Sequence, residues 1–288
     1  MQAVSYQRAS TVSEAIEMLR DGGETARVLA GGTDVIVQAR ERRLKVDRFV
    51  DIKHIPEVLA LSYSSANGLT VGAATPLYVL YNDAEVKMHY PALVEAATVI
   101  GGIAIQGRAT LGGNLCNSSP AGDSLTAMMV LGAVANVAGP NGEREVPVQG
   151  FFTGPGRNVL ELGEFVVSIH FDPPAPHSGT AWQRFIPRNE MDIAVVNCGS
   201  HLRLDGDRVV DARVALGAVA ATPIMVPGAA EALIGSAISD ETIAAAAAAA
   251  REAATPIDDM RGSVKQRKHL SAVLTERTLR TAWERARA

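Results

Sequence analysis

Two glycine-rich segments, about eighty residues apart, carry the residue types best suited to hold a phosphate. The first is Ala30-Gly31-Gly32-Thr33-Asp34, directly after the apolar pair Val28-Leu29, and the second is Thr110-Leu111-Gly112-Gly113-Asn114. Glycine reaches positive φ and has no Cβ, so such turns can bring several backbone N–H groups close to an anion. One Gly-Gly turn often does no more than reverse the chain. Two turns with similar hydroxyl and amide neighbours favour the two halves of a pyrophosphate, and hence a dinucleotide cofactor.

The common phosphate-binding motifs do not account for these segments. The sequence contains no G-x-x-x-x-G-K-[ST] pattern, so a nucleotide triphosphatase is not predicted. It also lacks a complete G-x-G-x-x-G, since Gly154-Pro155-Gly156 has no third glycine and opens no obvious helix. A Rossmann fold is therefore not predicted either.

Composition excludes several other classes of protein. The 288 residues are 47% hydrophobic and carry a net charge of −4, which gives no general basic field for nucleic acid. Basic clusters at 40–43 and 265–268 are interpreted as solvated surface. Only two cysteines occur, Cys116 and Cys198, so a cysteine-ligated cluster or zinc site within this chain is excluded, and the six histidines are scattered.

No secretory or membrane-spanning pattern is present in the sequence. The N-terminus lacks a basic-then-apolar signal, and no apolar run approaches the roughly 20 residues that span a bilayer. We therefore expect a cytoplasmic protein without a membrane span.

The first 55 residues predict a small βαβ-like unit. Thr11 and Glu14 have the spacing of a capping box, and the helix that follows is expected to end at Gly22-Gly23. Strands are predicted over 27–30 and 48–52. The apolar run 35–37 fits a helix or a strand.

A second unit follows, and a proline-rich break separates it from the rest. It contains a strand over 69–73, helices from Pro76 and over 91–100, and a hairpin around 139–142. The run 125–133 fits an apolar helix, although a buried strand remains open. The break at 172–179 is the best linker in the chain.

Beyond the break we predict an antiparallel sheet followed by helices. Three strands are expected, with Asp205-Gly206-Asp207 as the hairpin turn between the last two. The predicted strands are 193–198, 201–204 and 213–219. Helices are predicted over the alanine-rich segment 241–254 and the charged C-terminal segment 275–288.

Four segments in order resemble one protein family. The two glycine-rich segments, with Phe151-Phe152-Thr153-Gly154-Pro155-Gly156 and Arg188-Asn189-Glu190-Met191-Asp192-Ile193-Ala194, are similar to the FAD-binding (medium) subunit of the xanthine dehydrogenase and carbon monoxide dehydrogenase family of molybdenum hydroxylases. The likeness covers nearly the whole chain and is closest to bacterial xanthine dehydrogenase FAD-binding subunits.

The resemblance implies an α+β fold in two domains. Residues 1–174 would form a two-part FAD-binding domain of the vanillyl-alcohol-oxidase (PCMH) type, with subdomains of about 1–55 and 56–174. Residues 178–288 would form the flavoprotein C-terminal α+β domain, with an antiparallel sheet and helices.

The resemblance also implies site residues by position. Backbone N–H groups of the first segment would wrap the pyrophosphate, with Thr33 adding a hydroxyl, and the second segment would line the other side of the FAD. Ile100 and Val166 would sandwich the adenine, and Asp123 and Arg184 would make polar FAD contacts, with Arg184 standing where a lysine is frequent. The implied set is Val28, Leu29, Ala30, Gly31, Gly32, Thr33, Asp34, Val35, Ile100, Thr110, Leu111, Gly112, Gly113, Asn114, Cys116, Asp123, Val166 and Arg184.

Two cysteines and a pair of acids are the other side chains that could carry chemistry. Cys116 would lie near the flavin ring, either as a small hydrophobic group or as a thiol that tunes or reacts with the flavin. Cys198 is expected in the core. Glu190 and Asp192 are interpreted as an exposed turn before a strand, since no nucleophile or metal ligand accompanies them.

By this resemblance the chain is the electron-exit subunit of a molybdenum hydroxylase. A large molybdopterin subunit would hydroxylate a purine or similar heterocycle. A small [2Fe–2S] subunit would pass the electrons to this FAD, and then NAD⁺ or another acceptor would take them. The complex would be a heterotrimer or its dimer. Two cysteines cannot hold the extra cluster of the benzoyl-CoA-reducing branch, which is disfavoured.

Three alternatives remain open at this point. The same subunit could serve a hydroxylase for carbon monoxide, nicotine, nicotinate or an aldehyde. A self-contained flavin oxidase of the same superfamily is less favoured, because no covalent-flavin histidine stands near the glycine-rich segments. A non-catalytic assembly protein with a degenerate site is also possible, although both Gly-Gly pairs are intact.

Overall fold

A small parallel sheet begins the chain in the computed structural model, which describes residues 3–288. Its strands have the order β1-β3-β2 and are joined through helix α1. The Thr11 hydroxyl accepts the Glu14 N–H at 3.2 Å, and Gly23, with φ of 57°, ends the helix. The predicted helix limits are confirmed. The bounds are β1 (Ser5–Arg8), α1 (Val12–Gly22), β2 (Ala26–Leu29) and β3 (Arg48–Asp51).

The alternative left open for 35–37 is settled as a helix. This is α2 (Val35–Arg40), and it directly follows the first glycine-rich segment. The small sheet shares its core with the next unit, because Val50 and Ile52 pack in one cluster with Ala74 and Phe165. The two units therefore meet through apolar side chains.

An antiparallel five-stranded sheet forms the centre of the second unit, in the order β4-β5-β10-β6-β7. The predicted hairpin around 139–142 is confirmed as the β6–β7 turn. A two-stranded β8–β9 hairpin stands beside this sheet. The bounds are β4 (Leu61–Ser64), β5 (Gly68–Gly72), β6 (Val134–Gly139), β7 (Gly142–Pro147), β8 (Phe152–Gly154), β9 (Arg157–Asn158) and β10 (Phe165–Phe171).

Short helices pack against this sheet. The run 125–133, which fitted either a helix or a strand, is helical as far as Val130, and every residue of that helix is buried. Because this helix is covered on all sides, it has no polar face, and its sequence therefore shows no helical repeat of apolar and polar residues. The bounds are α3 (Leu77–Asn82), α4 (Ala84–His89), α5 (Pro91–Ala97), α6 (Ile103–Gln106), α7 (Leu111–Asn117) and α8 (Asp123–Val130).

The C-terminal part is an antiparallel sheet covered by helices, as predicted, and the α+β class is confirmed. The sheet has four strands, of which the first and the last were not predicted. Its strand order is β11-β12-β13-β14. The bounds are β11 (Ser178–Phe185), β12 (Val196–Asp205), β13 (Arg208–Gly217), β14 (Ile224–Met225), α9 (Pro227–Glu231), α10 (Asp240–Ala253) and α11 (Val264–Arg287).

The prediction of separate strands over 193–198 and 201–204 is wrong, because β12 runs through both. Gly199 and Ser200 suggested a break. In the structure Gly199 lies against helix α8, where an added Cβ would stand 2.8 Å from the Thr126 carbonyl oxygen. The Ser200 hydroxyl is paired with the Thr278 hydroxyl of α11 at 2.7 Å. Close packing on both faces of β12 therefore explains why Gly199 and Ser200, residue types that also occur in turns, lie within a strand.

The start of α11 also differs from prediction. The helix begins after the Ser263 cap, eleven residues before the predicted start at Thr275. Arg267, interpreted as solvated surface, is buried and donates to the carbonyl oxygens of Val195 and Ala218, both at 2.8 Å. The local sequence alone does not distinguish a buried arginine that donates to carbonyl oxygens from an arginine on the surface.

A polar network joins the C-terminal sheet to helices α5 and α8. The Trp182 indole N–H donates to the Thr126 hydroxyl at 2.9 Å, and Thr126 donates to Asn197 at 2.7 Å. Glu95 accepts the Trp182 backbone N–H at 2.7 Å and the Arg285 guanidinium at 2.6 Å. One carboxylate thus ties α5 to both β11 and α11.

Within residues 3–288, no helix combines the length and the apolar character that crossing a bilayer requires.

We predict that Glu95→Ala lowers the free energy of unfolding by about 2 kcal/mol, because it removes two hydrogen bonds to a charged acceptor. Urea denaturation followed by tryptophan fluorescence measures the change. Glu252→Ala, on the exposed side of α10, is the matched control and should stay close to wild type. Equal stabilities of the two variants would contradict the role given to Glu95.

Candidate functional site

A cleft of about 980 Å³ opens between the small parallel sheet and the second unit. Both glycine-rich segments line it, and each comes from a different unit. The carboxyl end of β2 leads into the first segment, while Thr110 follows a tight stretch of chain after α6. The sequence therefore places its two candidate phosphate-binding segments on opposite walls of one cavity.

The first segment needs its two glycines for different reasons. Gly32 has φ of +77°, a conformation that side-chain-bearing residues rarely adopt. Gly31 has no room for a side chain, because an added Cβ would stand 1.9 Å from the Arg108 carbonyl oxygen. Gly32 makes the turn, and Gly31 lets the two walls touch.

The second segment is not the predicted turn but the first part of helix α7. The Thr110 hydroxyl accepts the Gly113 N–H at 2.9 Å and caps this helix. Gly112 is required by packing, since its Cβ would lie 2.5 Å from the Ala73 carbonyl oxygen. Positive φ was expected in both segments and occurs in the first, at Gly32.

Two side-chain hydrogen bonds join the walls of the cleft. Arg108 Nε donates to the Gly31 carbonyl oxygen at 3.1 Å. Gln38 of α2 donates its amide to Asn117 Oδ1 at the end of α7 at 2.9 Å. The segments are thus tied together by residues close to each of them.

Most of the predicted site residues share this cleft, and four do not line it. The lining set is Val28, Ala30, Gly31, Gly32, Thr33, Asp34, Val35, Ile100, Thr110, Gly112, Gly113, Asn114, Cys116 and Val166. Leu29 and Leu111 are buried in the core behind it. Asp123 and Arg184 instead bind each other.

The pair of Asp123 and Arg184 connects helix α8 to strand β11. Arg184 Nη1 stands 2.6 Å from Asp123 Oδ2, and both side chains are nearly inaccessible. Asp123 Oδ1 is buried without a hydrogen-bond partner among residues 3–288. Burial raises the pKa of the Asp123 carboxyl to about 7, although the Arg184 charge acts to lower it. The free oxygen leaves one acceptor available for a donor.

Arg184 also lines a second, smaller cavity of about 300 Å³ with Asn189 and Glu190. Glu190 is exposed, as predicted for a turn before a strand. Asp192 is half-buried rather than exposed and pairs with Arg188 at 3.3 Å, which lowers its pKa together with a backbone N–H. No described contact gives either acid a nucleophile or a metal.

Cys116 stands in the cleft wall and has the character of a small apolar group. Desolvation raises the pKa of its thiol to about 12, so the thiol is protonated at neutral pH. Its backbone carbonyl accepts the Asn158 amide at 3.0 Å, which attaches the β8–β9 hairpin to α7. Cys198 is fully buried, as predicted.

Sequence reasoning missed Gln38, Arg108 and Asn158. Each acts on a backbone or amide group far away in the chain, so no local spacing reveals it. Arg43 was interpreted as solvated surface, yet it lines the cleft with an exposed side chain. Across residues 3–288, His, Cys, Asp and Glu form no group of three or more that could hold a metal.

Comparison with known proteins agrees with this geometry. The model of the FAD binding domain in molybdopterin dehydrogenase matches residues 2–174, and that of the CO dehydrogenase flavoprotein C-terminal domain matches residues 183–282. The chain is 35% identical to the xanthine dehydrogenase FAD-binding subunit of Escherichia coli O157:H7, over 96% of this chain and 95% of that protein. It is 31% identical to the carbon monoxide dehydrogenase medium chain of Hydrogenophaga pseudoflava, over 97% of each.

A solved structure shows the same fold. Carbon monoxide dehydrogenase from Hydrogenophaga pseudoflava, in a form that lacks the Mo-pyranopterin moiety of its cofactor, superimposes with a TM-score of 0.94 at 31% identity. The superposition covers 99% of this chain and 98% of that one.

We predict that Gly31→Ala destabilises the protein by about 3 kcal/mol, because the new Cβ overlaps the Arg108 carbonyl oxygen and forces the walls apart. Gly107→Ala is the matched control. Its Cβ would meet nothing closer than 4.0 Å, and its φ of −65° suits alanine. Thermal unfolding of both variants tests this, and a stable Gly31→Ala protein would show that the walls are not in contact.

A second prediction concerns pH. Because burial raises the pKa of Asp123 from 3.8 to about 7, the folded protein keeps a proton that the unfolded chain loses between these pH values. The Asp123 contribution to the free energy of unfolding therefore falls as pH rises from about 4 to 7, and levels off above. An asparagine does not titrate, so Asp123→Asn should lack this slope.

Melting temperatures of the Asp123→Asn protein and wild type, measured from pH 4 to pH 8, test the pH prediction. Asp21→Asn, at an exposed position, is the control and should follow the wild-type profile. Parallel profiles for wild type and Asp123→Asn would contradict the raised pKa.

Proposed function

The chain belongs to the FAD-binding subunits of the molybdopterin dehydrogenases, or molybdenum hydroxylases, and we propose that it carries electrons from an iron–sulfur partner through FAD to a soluble acceptor. The observation that carries this proposal is the cleft in which two glycine-rich walls meet at Gly31. FAD is the cofactor of the family. The route of the electrons and the identity of the acceptor are proposed for this chain.

The residues of the cleft fit FAD. A diphosphate needs backbone N–H donors at close range, and the glycine-rich segment 30–34 lines one wall of the cleft. Thr33 supplies a hydroxyl on the same wall. In this proposal the segment 28–35 wraps the pyrophosphate and the segment 110–114 lines its other side.

The remaining contacts are proposed from their positions. Ile100 and Val166 are apolar residues of the cleft wall suited to enclose the adenine. Asp123, with its unpaired oxygen, and Arg184, held beside it, would offer polar contacts to the flavin end, where Cys116 presents an uncharged thiol. Leu29 and Leu111 would act from behind the walls by packing.

FAD, when bound, supplies an electron carrier that takes single electrons and gives up two together. The chain's own residues bind and orient it and set its surroundings. The Gln38–Asn117 and Arg108–Gly31 hydrogen bonds fix the distance between the walls, which keeps the N–H donors aimed at one place. The buried Asp123 places a negative charge or a proton at a fixed position near pH 7.

We further propose a division of labour among subunits. A large molybdopterin subunit would oxidise the organic substrate, and a small [2Fe–2S] subunit would deliver the electrons to this chain. NAD⁺ or another acceptor would then be reduced. Relatives are named for xanthine and carbon monoxide dehydrogenases, and the higher identity to the former favours a xanthine-type complex. We propose a cytoplasmic heterotrimer or its dimer, with domains at 1–174 and 178–288 in this chain.

The first test is the visible absorption spectrum of the purified chain, recorded after adding FAD and desalting. We expect flavin bands at about one flavin per chain in wild type and their loss in Gly32→Val and Gly113→Val. A valine at position 32 would strain a backbone of positive φ and overlap Ile36, and a valine at position 113 would press on the Thr110 hydroxyl that caps α7. Stoichiometric flavin in both variants would refute the assignment.

Activity separates this subunit from a complete enzyme. The pure chain should not oxidise xanthine, since it has no ligands for molybdenum or a cluster in the residues described. Turnover of xanthine by the pure chain would refute the division of labour. A folded chain that retains no flavin would instead favour the assembly-protein alternative.

A further inference from the structure

The mouth of the cleft carries two exposed arginines with no role in the proposed FAD contacts. Arg43 lies just after α2, and Arg157 lies on the β8–β9 hairpin. Both line the cleft, and the Arg43 side chain is 71% exposed. They stand where the cleft meets solvent, which is the route that any molecule must take to reach the cofactor.

Backbone hydrogen bonds connect the two arginine-bearing segments to the two ends of one side-chain bridge. The Arg43 backbone N–H donates to the Gln38 carbonyl oxygen at 2.9 Å, and Gln38 bonds Asn117. On the other side, the Gly156 N–H donates to the carbonyl oxygen of Ser118, the residue after Asn117, at 3.0 Å. The segment with Arg43 therefore adjoins the Gln38 side of this hydrogen bond, and the segment with Arg157 adjoins the Asn117 side.

Four acidic side chains also line the cleft. Glu24 and Glu161 form no salt bridge with Arg43 or Arg157 among the described residues. Glu164 is held by Arg144 at 2.7 Å. Arg43 has one acidic partner, Glu41, at 2.6 Å, and Arg157 forms no ion pair within the described part of the chain. Asp34 is the acid on the α2 side, and desolvation raises the pKa of its carboxyl.

We propose that Arg43 and Arg157 form an anion site at the cleft mouth that captures the phosphate groups of a soluble dinucleotide acceptor. This inference rests on the proposed function, because it assumes FAD in the cleft. Guanidinium groups bind phosphate through paired N–H donors, and two of them across a gap suit a diphosphate. The bridge between them holds their backbones at a fixed separation.

The site predicts a preference among electron acceptors. An acceptor with a pyrophosphate gains attraction at the mouth, whereas an uncharged quinone gains none. Attraction between exposed charges also weakens with salt, because the Debye length falls from about 10 Å at 0.1 M to about 3 Å at 1 M. The KM for the dinucleotide should therefore rise with ionic strength, and the KM for the quinone should not.

The experiment uses the assembled, FAD-loaded complex with the Arg43→Gln, Arg157→Gln and double variants. Arg251→Gln, an exposed arginine on α10 far from the cleft, is the matched control. Flavin content is measured first. Steady-state KM and kcat are then measured with NAD⁺ and with an uncharged benzoquinone, at low and high sodium chloride.

We expect full flavin content in all variants and a KM for NAD⁺ about tenfold higher in the double variant, with little salt dependence left. The kinetic constants with the quinone should match wild type. An unchanged KM for NAD⁺ would overturn the proposal. Loss of flavin from the arginine variants would also overturn it, because the arginines would then belong to the FAD site.

Two further outcomes separate this inference from the proposed function. Wild-type complex that holds FAD and reduces the quinone but not NAD⁺ would overturn the acceptor site and leave the proposed electron path standing. Wild-type complex without flavin would overturn the proposed function itself, and the acceptor site with it.

Discussion

The site depends on one steric constraint, the contact between Gly31 and the backbone of Arg108. These two stretches of chain approach so closely that no side chain fits between them. The contact sets the separation of the cleft walls, and the hydrogen bonds from Arg108 and Gln38 hold it there. Because the walls come from different units, the apolar packing of Val50 and Ile52 against Phe165 is what brings them together.

Strand β11 attaches the C-terminal domain to helices α8 and α5. Arg184 reaches from β11 to Asp123 on α8, while Trp182, on the same strand, anchors to Thr126 and Glu95. Breaking one partner of a buried ion pair leaves an uncompensated charge, which is costly. Strand β11 therefore carries both the ion pair and the hydrogen bonds that hold the C-terminal domain against α8 and α5.

The sequence predicts features that depend on neighbouring residues. It does not reveal contacts with backbone groups that are distant along the chain. Gly32 was identified correctly because a turn needs positive φ, but α7 resembled a turn because glycines also serve close helix packing, as Gly112 does against Ala73. Strand β12 was divided at Gly199 for the same reason. Arg108 and Gln38 gave no signal, since their partners lie 77 and 79 residues away along the chain. Which of the predicted residues contact FAD stays a prediction.

The protonated state of Cys116 has a consequence for chemical durability. Thiolates, and not thiols, react readily with peroxide and alkylating agents. A thiol whose pKa is raised to about 12 therefore resists conversion to sulfenic acid, even though it borders an open cleft intended for a redox cofactor. The apolar wall therefore keeps this cysteine in its less reactive thiol form.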